Sequence, residues 1–481
     1  MNFKPIFFIN GILLLILSAA MLFPVLVDFS NANDDWRVFA GAQIVTAFFG
    51  FAMLFSTQQK KFTLTLRETF LMTCMAWFTL AIFGSLPFYF SSLDISFAAA
   101  VFESVSGITT TGSTVLTGLD HLPQGLLLWR STLHWMGGIG VLIIALAILP
   151  LLQISGMQIY KSQSFGDVDK VLPSATQIAL YILLIYVVLT ITCTVMLHFA
   201  GMGLFDALNH AMSAISTGGF STKDASIGYF HSVKIETICL IFMLLGGLPF
   251  PLYVKFVRGE TKALFNDSQV RTYFGIIGVS AALLTIYMTF NGQFYFSEAL
   301  RRSIFMVVTL ITTTGFASGD YTAWGTFVIG MAFFLTFLGS CSGSTTGGMK
   351  IFRLQILWKM MQQQINRLMS PHGIFQVRYN HKNVDIGLQA AIAGFFFIYI
   401  ASWIFFGLLL QVCGLNFETA FTAALTAVSN VGPGLGNIIG PSGNFSTIED
   451  LELSILSFAM ILGRLEFFTL LVVLTPRFWR R

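Results

Sequence analysis

The chain has 481 residues, 55% hydrophobic and only 10% charged, with a mean hydropathy of +0.78. Soluble domains carry about 25% charged residues, so this composition excludes an ordinary soluble enzyme built on one buried core. The net charge of +4 is spread along connectors instead of gathered on one domain, which argues against nucleic-acid binding.

Taken in order, residues 1–60 contain two apolar spans, near 6–28 and 38–57, parted by a polar stretch at 31–37. The first looks superficially like a secretory signal, with Ser18-Ala19-Ala20 in the place of a cleavage region. Apolar sequence continues past it, so an uncleaved span is expected. Residues 61–160 form the first repeating unit. A span near 68–91 is followed by a short apolar segment at 96–108, then Thr109-Thr110-Thr111-Gly112, then a span near 125–152. The second unit, 161–262, has spans near 176–200 and 232–256 around a short segment at 205–215 and Ile215-Ser216-Thr217-Gly218. In the third, 263–367, the pieces are 272–291, 297–311, Thr312-Thr313-Thr314-Gly315 and 322–358. The fourth, 368–481, has 385–413, 417–428, Ser429-Asn430-Val431-Gly432 and 451–475.

A helix needs about 20 residues to cross the roughly 30 Å hydrocarbon core, so the short segments are read as re-entrant pore helices. That leaves ten crossings. Non-helical backbone at membrane depth is tolerated where it lines water or is buried in protein. The small-residue stretches are therefore expected to form four walls of one pore within a single chain. Backbone oxygens of Thr110, Thr111, Gly112, Ser216, Thr217, Gly218, Thr313, Thr314, Gly315, Asn430, Val431 and Gly432 would replace a cation's hydration shell. Such hard oxygen ligands suit alkali cations. Small residues also serve close helix packing in membranes, but packing alone gives no reason for the motif to recur at one place in each unit.

Glu103, Asp120, Asp206, Asp224, Glu298, Asp320 and Glu418 are candidate cation-attracting acids at the outer mouth. The third exit span is interrupted by Gly339-Ser340-Cys341-Ser342-Gly343-Ser344-Thr345-Thr346-Gly347-Gly348. Its glycines at 339, 343, 347 and 348 mark either a mobile intramembrane gate or a static kink. The GSTTGGMK ending is not a phosphate loop, since Met349 stands where that motif needs Lys. Arg464 lies inside the last apolar span, where a charge is costly unless paired or hydrated. It is expected to oppose a cation below the filter, bonding either to gate-loop carbonyls or to Glu466. Arg130, Lys234, Arg301 and Arg302 read as interfacial anchors. His134, His198 and His210 read as ordinary hydrogen-bonded histidines, and the five cysteines lack metal-ligand spacing. No nucleophile–base set is present, so an enzyme is not expected.

Basic residues test the crossing count. Lys4, Lys60, Lys61, Arg67, Lys161, Lys170 and those within 255–271, 350–382 and 477–481 fall on one side, which puts both termini in the cytoplasm.

The four pore stretches, Gly339–Lys350 and Gly463-Arg464-Leu465-Glu466 together resemble the bacterial Trk/Ktr/HKT potassium-uptake superfamily, most closely the Trk membrane subunit, over essentially the whole chain. The resemblance implies an all-α polytopic membrane protein with two N-terminal helices and four pseudo-symmetric pore repeats. It further implies K+ as the transported ion with no bound cofactor, the four glycines in the filter, and a gate formed by the 339–348 loop and Arg464. It also implies a homodimer in the bacterial cytoplasmic membrane, with lipid around it and a cytoplasmic nucleotide-binding regulatory subunit. A secondary symporter coupled to H+ or Na+ is the alternative transport reading.

Overall fold

The computed structural model describes residues 1–57, 65–148, 175–380 and 382–480. Lys60, Lys61, Lys161, Lys170 and Arg481, used above to orient the chain, lie outside the described residues. Helices α1 (Lys4–Ser30) and α2 (Trp36–Phe55) pair along their length. Gly11 and Gly50 permit the close approach: a methyl group on Gly11 would sit 2.8 Å from the Gly50 carbonyl oxygen. The end of α1 is tied to the first repeat because Asp28 Oδ1 accepts from the Gly125 amide at 2.7 Å.

The repeats follow in chain order. Repeat one has α3 (Leu66–Phe90), the short α4 (Phe97–Ile108) and α5 (Gln124–Ile148). Repeat two has α6 (Ala175–Phe199), the short α7 (Leu204–Ile215), α8 (Val233–Gly246) and α9 (Phe250–Val257). Repeat three has α10 (Ser268–Phe290), the short α11 (Phe296–Ile311), α12 (Thr326–Phe337) and α13 (Ile351–Met369). Repeat four has α14 (Ile386–Val412), the short α15 (Phe417–Ser429), α16 (Asp450–Arg464) and α17 (Phe468–Leu474). Between repeats three and four a two-residue hairpin pairs Arg378–Tyr379 with Lys382–Asn383.

Among the described residues seven helices are long and apolar enough to cross a membrane, and two bent pairs add two more. The tenth crossing expected from the sequence falls on α12, a shorter apolar helix, and α13, which the 339–348 loop separates. The exit spans hold the main departure from expectation. Those read as single spans at 232–256 and 451–475 are bent, by 92° between α8 and α9 and by 113° between α16 and α17. Gly246-Gly247-Leu248-Pro249 explains the first bend, since Pro249 cannot continue the helical ladder. The second turns on Phe467, at φ 58 and ψ −60, a conformation costly for a bulky residue.

Apolar packing gathers the molecule into two main cores. One joins α1, α2 and repeats one and four through Leu14, Phe39, Trp129, Ala424 and Leu456, among others. The other joins repeats two and three through Tyr186, Phe242, Tyr273, Val307 and Ile351. Two seams thus separate the halves, one between repeats one and two and one between repeats three and four.

Candidate ion pore

Each short helix ends in the same way. A left-handed residue closes each one, two past the last helical residue at Thr110, Thr217 and Thr313 and directly after it at Asn430, with φ of 54, 55, 54 and 54. The next amide reaches back to the helix. Thr111, Gly218 and Thr314 donate at 2.9 Å to Ser106, Ser213 and Thr309, and Val431 donates at 3.0 Å to Thr426. This is the closure that usually places glycine at the left-handed position. Threonine there costs about 1–2 kcal/mol, a strain held by the surrounding packing.

The shared closure fixes the register, and it corrects the second stretch. Gly218 corresponds to Thr111, Thr314 and Val431, whereas the counterpart of Gly112 and Gly315 is Gly219. Gly112, Gly219 and Gly315 have φ of 89, 88 and 82. Gly432 is outside that region and is followed by Pro433. A methyl group on Gly112 would strike the Gly218 carbonyl, and one on Gly219 the Thr314 carbonyl. On Gly315 it would lie 3.0 Å from the Gly432 amide, and on Gly432 3.0 Å from the Gly112 carbonyl. The four backbones therefore touch in cyclic order and close a ring.

Side chains brace the ring from behind. Thr109 and Thr111 share a hydroxyl hydrogen bond of 2.7 Å, as do Thr312 and Thr314. Ser113 Oγ donates to the Gly432 carbonyl at 2.8 Å. Asn430 donates through Nδ2 to Thr111 Oγ1 at 3.1 Å and to the Met460 carbonyl at 2.9 Å.

The 339–348 loop is hydrogen-bonded to residues of the ring-forming segments. Gly347 donates its amide to Thr313 Oγ1 at 2.9 Å, and Thr345 and Thr217 share a hydroxyl hydrogen bond of 3.1 Å. Gly347 also approaches the Ser429 carbonyl too closely to carry a side chain. The loop's base is closed by the Gly339 amide on the Met349 carbonyl at 2.8 Å, and its flank by the Phe250 amide on the Gly343 carbonyl at 2.9 Å. A cavity of about 40 Å³ beside it is lined by Gly343, Gly347, Gly348, Asn430 and Arg464. The Arg464 side chain is buried there, and none of its three guanidinium nitrogens has a hydrogen-bond partner among the described residues. Neither expected partner is taken: Glu466 pairs with Arg353 instead, at 2.5 Å. Lys350 turns inward and bonds Thr346, so it is not part of an exposed basic surface.

Two other expectations fail together. Glu103, expected at the outer mouth, and Arg130, expected at the interface, are 0% and 1% exposed and form an ion pair of 2.7 Å. Their burial in the packed region behind the filter removes both from bulk water. Asp206 accepts from Thr222 Oγ1 at 2.7 Å and Asp224 from the Leu119 amide at 3.1 Å. Arg301 pairs with Glu236 and Arg302 with Glu298. His134 lies on Phe220 with ring centroids 4.1 Å apart, and His198 and His210 hold main-chain carbonyls. Among the described residues no cluster of His, Cys, Asp or Glu is arranged to hold a metal ion.

A family profile described as TrkH, cation transport protein, matches residues 36–481. The chain belongs to the TrkH family. The Trk system potassium uptake protein TrkI of Halomonas elongata is 39% identical over 481 residues, covering 100% of this chain and 98% of that protein. TrkH of Escherichia coli K12 is 36% identical with full coverage of both chains. The crystal structure of the potassium transporter TrkH from Vibrio parahaemolyticus aligns with a TM-score of 0.92 at 34% identity, again over 100% of both chains. The two-helix unit and four pore repeats therefore constitute a TrkH fold throughout, that of a multi-pass protein of the bacterial inner membrane.

Proposed function

We propose that this chain takes up K+ across the cytoplasmic membrane, through a filter made by its own four repeats. The observation that supports this most directly is the closed ring of backbone at Gly112, Gly219, Gly315 and Gly432. The ion sheds water there and is held by backbone oxygens of residues 110–112, 216–219, 313–315 and 430–432. Below it, the glycines at 339, 343, 347 and 348 and the guanidinium of Arg464 form the gate, the charge opposing a cation that pauses in the path. Both termini are cytoplasmic, in line with the basic residues on that side. The working unit is a homodimer with one pore in each chain, and a cytoplasmic nucleotide-binding subunit controls the gate.

The test is flux through the purified chain in liposomes under imposed voltage and pH gradients, measured for K+, Rb+ and Na+. Voltage-driven K+ flux that reverses at the K+ equilibrium potential at every pH supports a channel. A reversal potential that also tracks the H+ or Na+ gradient would replace it with coupled symport. Absence of selective cation flux, with or without the regulator, would sink both.

A further inference from the structure

Behind the outer ends of the first two filter segments lies a buried polar strut whose parts come from both repeats. Glu103 on α4 accepts from Thr114 Oγ1 and from the Val115 amide, each at 3.0 Å. Its carboxylate thereby holds the chain just past Gly112. Arg130 on α5 donates Nε to Glu103 at 2.7 Å and Nη1 to the Ser221 carbonyl at 2.8 Å, and so holds the chain just past Gly219. The guanidinium carbon also lies 4.0 Å from the centre of the Phe220 ring. His210 stands nine residues before Gly219, as Glu103 stands nine before Gly112. From that equivalent place its Nε2 meets Ser221 Oγ at 2.9 Å. Repeats three and four have Met306 and Ala423 at the same position, with no polar group to offer.

Burying two charges costs several kcal/mol per ion, and well-packed apolar residues of similar volume usually stabilise a fold as well or better. Stability alone is a poor reason for the pair. What apolar residues cannot supply is the forked geometry of a guanidinium, which fixes two acceptors at once in a set direction. Here those acceptors belong to two neighbouring walls of the ring.

We infer that Glu103 and Arg130 are positioning residues for ion discrimination, holding the first two filter walls at a spacing that cannot contract around a cation smaller than K+. This rests on the filter reading above. Neither residue touches the ion. Their effect passes through the backbone at 114–115 and 220–221.

The experiment reads zero-current potentials of the full-length chain in liposomes under opposed K+ and Na+ gradients. Two variants are compared with the parent. Glu103→Gln with Arg130→Met removes both charges together and leaves no lone buried ion. Arg130→Lys keeps the charge near Glu103 but loses the fork that also reaches Ser221. In each, relative Na+ permeability should rise about tenfold, the scale of one lost charge-assisted hydrogen bond, while K+ flux, elution volume and melting temperature stay near the parent's. A parent-like permeability ratio in the folded double variant would overturn the inference. If that variant is not recovered folded, the same ratio measured in Arg130→Lys decides in the same way. A parent chain that carries no K+ at all would instead overturn the filter reading, and this inference with it.

Discussion

The seam between repeats one and two and the seam between repeats three and four hold the ring in different ways. The first is crossed by the Arg130 guanidinium, which joins Glu103 of one repeat to Ser221 of the next, and by His134 meeting Ser213 Oγ at 3.1 Å. The second is lined by aromatic rings, with Trp403 packed edge-on to Phe333 and Phe337 at 5.9 and 5.0 Å. Polar links cross it as well: Tyr399 reaches the Phe337 carbonyl at 3.2 Å, and Arg353 pairs with Glu466 at 2.5 Å. Charge-assisted bonds fix direction, whereas aromatic contacts set area and tolerate sliding. The helices do not follow the same division: α5 of repeat one is not among the bent pairs, while the exit spans of repeats two, three and four are all broken among the described residues. The ring is thus spanned by a buried guanidinium fork at one seam, where the other relies on aromatic packing and a separate ion pair. A pore of four identical subunits has no means of making that division.

The largest effect that tests this contrast is expected at the corrected register. Gly219→Ala puts a methyl group into the Thr314 carbonyl at positive φ. Selective uptake should fall about a hundredfold, the scale of a misplacement near 1 Å in a tuned site. Gly218→Ala meets the His134 ring instead, so adding His134→Ala should restore much of its flux. The same second change should do nothing for Gly219→Ala. Rescue of the latter, measured as Rb+ uptake, would return the register to the one first read from the sequence. An intermediate effect is expected at Arg464. Arg464→Ala removes an unpartnered buried charge beside the path, and basal K+ flux should rise about tenfold, as for a barrier lowered by about 1.4 kcal/mol. Its Na+/K+ ratio should stay that of the parent. Unchanged flux in correctly folded protein removes Arg464 from the gate, and a shifted ratio would blur the contrast between the two sides. The smallest is Thr345→Ala, which deletes a hydroxyl bonded to Thr217 and to the Ile215 carbonyl. One such bond is worth about 1 kcal/mol, so single-channel open probability should change about fivefold. No change would show that the loop and the second filter are mechanically independent.

Much of this was legible in the sequence. The short helices, the small-residue stretches that follow them and the interrupted third span are periodic or compositional features that leave a local trace. The second filter's register was misread because Gly218-Gly219 offers two glycines to one position. Phe220 and Phe316 carry the missing signal, since aligning STGGF with TTTGF selects Gly219. The α8–α9 bend was likewise written in Gly246-Gly247-Leu248-Pro249. The α16–α17 bend was not, because nothing in Arg464-Leu465-Glu466-Phe467 disfavours a helix and tertiary packing imposes the turn. Glu103 and Arg130 were misplaced for a related reason. Each looked like a lone charge suited to water, and only the fold brings residues 27 apart into one buried pair.

The loop at 339–348 has a last consequence. Two of its residues are hydrogen-bonded to Thr217 and Thr313, the left-handed threonines that shape two walls of the ring. If this loop is the gate proposed above, its opening would free both threonines of that restraint. On that proposal valve and sieve would share parts, and a sequence change that eased one would alter the calibration of the other.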